Sequence, residues 1–269
     1  MLCTHCRHSA ALLGGHLCAN CAAARPPVPP GTRGGLLVGA PPAVAPLHTP
    51  QGRPWLRSPV ALGNATAALL GFVVATDLFA LFADFVMRDV TSRLTGVVDA
   101  GVQRDADRAD TLYAVAGVAQ VAAVIATVVV FLVWFQRTRV NAEVFAPHGH
   151  RKARAWTCWG WFVPVVNLWY PHRIMADVWD ASSERLHQAG HGLINSWWAF
   201  WVVSMFADRI AFAAYRDAET AAEIHAAVAE VMFADAVDMV AAALAIVVVV
   251  RLTRMQDRKT RLGPVPVGV

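Results

Sequence analysis

The sequence predicts an all-α integral membrane protein with four transmembrane helices, a re-entrant or interfacial segment, an amphipathic helix and a small N-terminal zinc ribbon. Two observations predict the membrane class. Of the 269 residues, 57% are hydrophobic and 16% are charged, whereas about 25% of an ordinary soluble domain is charged. From residue 59 onward, apolar runs come close to the roughly 20 residues that a helix needs to cross a bilayer.

A cysteine-bearing head occupies residues 1–24 and carries two C-x-x-C pairs separated by 11 residues. Each pair offers two sulfurs from one turn, and such spacing is typical of tetrahedral Zn²⁺ held by four thiolates. A head this short has almost no core, so metal binding would supply its folding energy. Alternatives are a redox-active or labile metal site, or a histidine replacing one thiolate. The predicted ligands are Cys3, Cys6, Cys18 and Cys21.

A linker of residues 25–58 follows the head. It is rich in Pro and Gly and contains no acidic residue, so we expect an extended, disordered segment. The membrane domain is predicted over residues 59–256, and a cytoplasmic tail over 257–269. The N-terminus does not resemble a signal peptide, which favours a start in the cytoplasm. Hydropathy predicts the crossings at about 59–87, 112–135, 197–215 and 231–250.

The apolar stretch 156–170 contains Pro164 and Asn167. Fifteen helical residues reach about 22 Å, less than the roughly 30 Å of the hydrocarbon core, and Pro164 would break the helix. If the stretch crosses, each side holds 11 Lys and Arg; if it returns, the cytoplasmic side holds 17 and the outside 5. Since basic residues concentrate in cytoplasmic loops, we predict a non-crossing segment and a plasma-membrane protein with both termini in the cytoplasm.

An amphipathic helix is predicted over residues 172–187. One face carries Ile174, Met175, Val178, Trp179 and Leu186, and the other is polar. A helix of this kind lies in the membrane interface or packs on the protein's own helices, and the sequence leaves both alternatives open.

Charges within the predicted crossings are candidate functional groups. Asp77 and Asp84 are seven residues apart, so they share a helix face. Ionisable groups at this depth are costly and are expected to face the bundle interior or a cavity. They could form a proton or ion path, or a buried interhelical pair between Arg209 and an acid that fixes helix register. The charges are Asp77, Asp84, Asp208, Arg209, Asp235 and Asp238.

A tryptophan-rich motif follows the second crossing: W-x-x-R-x-x-x-N, G-W-F-x-P-x-x-N-L-W-x-P and a later W-W. Its residues are Trp134, Arg137, Asn141, Gly160, Trp161, Phe162, Pro164, Asn167, Leu168, Trp169, Pro171, Trp197 and Trp198. On this motif the chain resembles an actinobacterial membrane family, domain of unknown function 4328, over roughly residues 59–256. The resemblance implies a membrane fold, a cysteine-pair head in many members, and no established activity.

The motif's polar residues are expected to support the break at Pro164. Arg137 and Asn141 are four apart and share a helix face, and Asn167 follows the proline where carbonyls lose their partners. We predict that these side chains satisfy the backbone of the turn. The basic stretch 148–154 is interpreted as a juxtamembrane loop, with metal or anionic-lipid binding as alternatives.

No nucleophile elbow, Walker loop, dinucleotide fingerprint or H-E-x-x-H motif occurs in the sequence, so a non-enzyme is favoured. The first hypothesis is a sensor or scaffold that presents its zinc ribbon to a protein partner at the cytoplasmic face. The alternative is a small transporter or channel that uses the intramembrane Asp residues and the re-entrant segment. A lipid-modifying enzyme is a third hypothesis. Nucleic acid is not an expected partner, because anionic lipid explains the linker arginines equally well. A homo-oligomer is an alternative to a single chain.

Overall fold

The computed structural model describes residues 56–94, 99–183 and 190–262. The predicted zinc ribbon, with Cys3, Cys6, Cys18 and Cys21, lies outside the described residues. Nearly all of the predicted linker and the end of the predicted tail lie outside them as well. Within the described ranges all regular secondary structure is helical, in agreement with the predicted class.

Four long helices form a bundle, and three short elements join the second of them to the third. The long helices are α1 (Val60–Arg93), α2 (Ala100–Phe145), α5 (Gly192–Asp217) and α6 (Ala221–Leu262). The short elements are α3 (Trp156–Trp159), a 3-10 turn (Val166–Leu168) and α4 (Tyr170–Ser182). Three helices, α1, α2 and α6, are long and apolar enough to cross a membrane. Three of the four predicted crossings therefore fall on helices that are long and apolar enough to span a membrane. The fourth falls on α5.

The helices run beyond the apolar segments that predicted them. The first turn of α2 begins well before residue 112, because the Asp99 carboxylate accepts hydrogen bonds from the N–H groups of Gly101 and Val102 at 2.8 and 2.9 Å. The hydrogen bonds from Val102 and Gly101 also lower the pKa of Asp99. A capped polar turn of this kind lets the helix continue past the hydrocarbon region.

Helix α1 is the centre of the bundle, with α2 on one side and α6 on the other, and α5 packs along α6. A close approach of α1 to α6 depends on Gly63, because a Cβ atom there would lie 2.3 Å from Thr253 Oγ1. Small residues allow such backbone contact between membrane helices.

Helices α2 and α5 meet through aromatic side chains. Tyr113 stacks on Tyr215 with ring centroids 4.8 Å apart, and Phe131 lies 6.4 Å from Trp197. The two ring pairs lie near opposite ends of α5 and leave room between the helices for the cavity described below.

The outward surfaces of the long helices are apolar. Large hydrophobic side chains that are more than half exposed include Phe72, Phe82, Phe85, Val118, Ile125, Ile210, Phe212 and Phe233. A surface of this size and polarity is suited to lipid contact.

The segment between α2 and α5 begins and ends at one end of the bundle. Near that end, Gln256 of α6 donates to the carbonyl oxygen of Thr138 at 2.9 Å and to Ser182 Oγ at 3.0 Å. His172 in α4 pairs with Asn195 in the first turn of α5 at 2.9 Å. The chain thus leaves α2 and enters α5 at the same end, as a segment that returns to its own side would.

Helix α4 packs on the protein itself. Its apolar residues Ile174, Met175 and Val178 are buried, and so is Asp177 on its polar face. The Asp177 carboxylate accepts hydrogen bonds from Arg151 Nη2 at 2.7 Å and Nε at 2.9 Å. Of the two alternatives for the amphipathic helix, the structure shows packing on neighbouring helices.

Candidate functional site

Carboxylates from α1 and α6 meet in the interior of the bundle. Asp77 lies at the middle of the 34-residue α1, and Asp84 follows about two turns later on the same face. Asp77 is 2% exposed, and Asp84 and Asp235 are also buried. The carboxyl groups of Asp84 and Asp235 are close neighbours across the two helices.

Gln120 of α2 joins these acids. Its amide nitrogen donates to Asp77 Oδ1 at 3.1 Å and to Asp235 Oδ1 at 3.0 Å, which uses both of its N–H groups. The Oδ2 atoms of Asp77, Asp84 and Asp235 are buried and have no hydrogen-bond partner among the residues that the structure describes. We call Asp77, Asp84, Gln120 and Asp235 the acidic cluster.

No described basic side chain forms an ion pair with the acidic cluster. Arg209, which the sequence suggested as a partner for a buried acid, is exposed, as is Asp208 beside it. The suggested pair is therefore not formed. The physical reason is that α5 packs mainly along α6, so much of its surface faces outward.

The acidic cluster has the chemistry of a cation or proton site. Ionised carboxylates are costly inside a membrane protein unless paired. Two neighbouring carboxyl groups, such as those of Asp84 and Asp235, are both ionised only at a cost, which a shared proton or a cation between them would relieve. Across the described ranges, no group of three or more His, Cys, Asp or Glu side chains is arranged to hold a metal ion, which favours a proton over a metal cation at the acidic cluster.

A cavity of about 290 Å³ lies between α2 and α5. Asp238, one turn after Asp235 on α6, contributes a carboxylate to the cavity lining and lies near Ser204 of α5, whose hydroxyl donates to the Trp201 carbonyl oxygen at 3.1 Å. The aromatic part of the lining consists of Phe131, Trp161, Phe162, Trp197 and Trp201. The cavity thus combines aromatic rings with an acid that neighbours Asp77.

The predicted re-entrant stretch closes one side of this cavity. Val165, directly after Pro164, has a φ of 68°, a strained left-handed conformation for a β-branched residue. The turn is held by α5, because Trp198 Nε1 donates to the Leu168 carbonyl oxygen at 3.0 Å.

The polar residues of the motif lie at other positions than the sequence suggested. Asn141 is buried and its Nδ2 donates to the carbonyl oxygen of Arg57 at 2.9 Å and to Gln256 Oε1 at 3.1 Å. Arg137 is half-buried. The Asn167 amide lies 4.0 Å from Met205 Sδ. The prediction that these side chains satisfy the turn's backbone is wrong for Asn141 and Asn167, whose partners lie on other segments.

Three further motif residues differ in how far their side chains are exposed. Trp161 packs inward against rings of α2 and α5. Trp169 is exposed at the end of the turn, whereas Pro171 is buried in the first turn of α4. A proline suits that position because its missing N–H would have no helical partner there.

Sequence reasoning missed two amides that organise the interior. Gln120 stands in an apolar run, "AVAGVAQVAAVIA", where an isolated amide is the signal that could have identified it. Gln256 lies in the basic stretch "RLTRMQDRK" and carries no comparable signal. Gln256 is buried and Gln120 half-buried, so both amides need partners on neighbouring elements.

The comparisons with known proteins give one match. The family model described as Domain of unknown function (DUF4328) matches residues 99–254. No curated protein and no solved structure matches the chain. The match begins at the N-cap of α2, so α1, which the resemblance placed inside the family region, precedes it. Because the match covers more than half of the chain, the protein belongs to the DUF4328 family.

Proposed function

We propose that this membrane protein takes up protons, or a small monovalent cation, at the acidic cluster, as a small transporter or channel does. The observation that carries the proposal is that three buried carboxylate oxygens, one each on Asp77, Asp84 and Asp235, have no hydrogen-bond partner within the described part of the chain. A purely structural ion pair would place a base opposite these acids. The described residues instead provide one neutral amide, Gln120.

Further polar groups extend the cluster along the bundle. Asp238 and the cavity lie towards the end that holds the re-entrant stretch. Beyond Asp84, towards the opposite end, Arg88 Nη1 donates to the His225 carbonyl oxygen at 3.0 Å. A proton or cation crossing the bundle would pass from Asp238 to Asp77 and then to Asp84. Ionisable residues that follow one another in this way are typical of intramembrane ion pathways.

The proposed layout has four crossings, α1, α2, α5 and α6, with both termini in the cytoplasm of a plasma-membrane protein. Two observations support it. The chain leaves α2 and enters α5 at the same end of the bundle, and the side assigned to the cytoplasm carries 17 Lys and Arg against 5 outside. α5 is 26 residues long, enough for a crossing.

Replacing Asp77 with asparagine is expected to reduce proton or cation flux to the background of protein-free vesicles. The amide keeps the side-chain shape but cannot exchange a proton or carry charge. The measurement is the rate of pH change, or of labelled sodium or potassium uptake, in liposomes that contain the purified full chain. Asp89→Asn is the matched control, because Asp89 is exposed and pairs with Arg93 outside the cluster. Flux by Asp77→Asn equal to the wild type, or no flux by the wild type, would contradict the proposal.

A second candidate function is a sensor or scaffold whose zinc ribbon recruits a protein partner at the cytoplasmic face. The two cysteine pairs and their 11-residue spacing support it. Under this proposal, deletion of residues 1–55, which leaves the Arg57 partner of Asn141 in place, abolishes function. Under the transport proposal, flux survives the deletion, so the same truncated chain in liposomes distinguishes the two.

Purified full-length protein is expected to hold one Zn²⁺ per chain, bound by four thiolates. Cys18→Ser should lower the zinc content well below one, because a structural site needs all four ligands. Cys158→Ser is the control, since Cys158 lies in α3 rather than in the cysteine head. Elemental analysis by mass spectrometry after dialysis under reducing conditions measures the ratio. Zinc-free wild-type protein, or equal loss in both variants, would exclude the site.

A further inference from the structure

A second cavity, of about 390 Å³ and lined by polar side chains, lies at the end of the bundle where α2 ends and the loop before α3 begins. It is separate from the acidic cluster, which lies in the interior of the bundle. The charged and histidine side chains that line it are Arg139, Glu143, His150, Lys152 and Arg154. We call it the basic cavity.

Arg139 is the buried cation of this cavity. It is 3% exposed, and its Nη2 donates to the carbonyl oxygen of Lys152 at 2.8 Å. Its Nη1 lies 3.2 Å from Glu143 Oε1, yet makes no hydrogen bond of normal geometry within the described part of the chain. A buried guanidinium donor without a well-aligned acceptor is costly, so a ligand oxygen that supplied such an acceptor would stabilise Arg139.

His150 provides a second unused group. Both of its ring nitrogens are buried and neither has a hydrogen-bond partner in the described ranges, although the Ala142 carbonyl lies nearby. Burial lowers the pKa of His150. In its neutral form the ring offers one N–H and one acceptor nitrogen.

The charge of the lining favours an anion. Three permanent cations, Arg139, Lys152 and Arg154, stand against one carboxylate, Glu143, which Arg139 and Arg154 already engage. The Lys152 ammonium is held beside the cavity, 4.2 Å from the centre of the Tyr170 ring. The carboxyl end of α2 adds a partial negative charge, a weaker effect than the two uncompensated full charges.

We propose that the basic cavity binds a phosphate group, with Arg139 as its main contact and Lys152 and His150 completing the site. Guanidinium donors match phosphate oxygens in spacing and plane, and ammonium groups add charge. The cavity lies at a membrane end of the bundle, where basic pockets between helices bind lipid headgroups. The phosphate can come from an anionic phospholipid or from a free phosphate ion.

The test uses the full chain in a phosphate-free, neutral detergent. One arm measures equilibrium binding of radiolabelled inorganic phosphate. The other measures retention of phosphatidic acid against phosphatidylcholine by native mass spectrometry. We expect binding in at least one arm. Arg139→Gln removes one charged hydrogen-bonding group, so it should weaken that binding about tenfold. Binding only to phosphatidic acid identifies a headgroup site, and binding of inorganic phosphate in the other arm identifies a site for free phosphate.

If Arg139→Gln does not fold, Lys152→Gln takes its place and should also weaken binding. The Lys152 ammonium lies over the Tyr170 ring, and glutamine removes its charge. Arg254→Gln is the matched control, since Arg254 is exposed at the same end of the bundle and does not line the cavity. The proposal is overturned if neither probe binds, or if Arg254→Gln weakens binding as much as the cavity variants do.

Discussion

Replacing Trp161 with alanine is expected to destabilise the protein by about 3 kcal/mol, the lower end of the range for buried tryptophan. The indole stands among aromatic rings of α2 and α5, with centroid distances between 5.3 and 6.5 Å. These rings are Phe131, Phe135, Trp197, Trp198 and Trp201. Because an indole released from the protein would still be in contact with lipid, the loss is mainly one of packing contacts rather than of hydrophobic transfer, which favours the lower figure.

Two variants separate packing from other effects of the Trp161 side chain. Trp159→Ala removes the same side chain two residues earlier, where it is 65% exposed, and should change stability little. Trp161→Phe keeps a ring in the cluster and removes an Nε1–H group that has no acceptor among the described residues. It should therefore cost less than Trp161→Ala.

The measurement is unfolding in mixed micelles of increasing sodium dodecyl sulfate content, followed by circular dichroism. Equal midpoints for Trp159→Ala and Trp161→Ala would show that the ring cluster does not hold the turn. A Trp161→Phe variant as unstable as Trp161→Ala would show instead that the indole N–H has a partner of its own, such as water.

Elements with a strong local signal could be predicted from the sequence. The charge-free run 112–135 identified α2 because its apolar residues exceed the length of a crossing. Its true ends at Ala100 and Phe145 escaped prediction, because hydropathy measures the lipid-facing part whereas helix ends follow from caps such as Asp99. Pro164 likewise identified the position of a break but not its geometry.

The partners of buried polar groups could not be predicted, because they depend on which helix faces meet. The seven-residue spacing of Asp77 and Asp84 placed both on one face of α1. Nothing in the spacing indicates that Gln120 and Asp235 lie opposite. Similarly, no periodicity distinguishes Arg209, which is exposed, from an arginine that pairs inside the bundle. The pattern of a single sequence assigns a residue to a face of its own helix. The acidic cluster, in contrast, forms only where faces of three helices meet.

Replacing Gln256 with leucine is expected to destabilise the protein by about 2 to 3 kcal/mol, since it removes three buried hydrogen bonds worth about 1 kcal/mol each. Gln256 is fully buried. It donates to the Thr138 carbonyl oxygen and to Ser182 Oγ, and it accepts from Asn141 Nδ2 at 3.1 Å. These bonds tie α6 to the end of α2 and to the end of α4. Leucine fills a similar volume, but it leaves the Thr138 carbonyl oxygen, Ser182 Oγ and Asn141 Nδ2 without their hydrogen-bond partner on α6.

Gln103→Leu is the matched control, because Gln103 is exposed and its side chain donates to Asp107 Oδ1 at 3.3 Å. Its stability in the same micelle titration should equal that of the wild type. A double-mutant cycle then tests the mechanism: in Asn141→Leu/Gln256→Leu, the cost should fall short of the sum of the single costs, because the bond between the two amides can be lost only once. Strict additivity would mean that the two side chains do not interact, and that the end of α6 is held by packing against α2 instead.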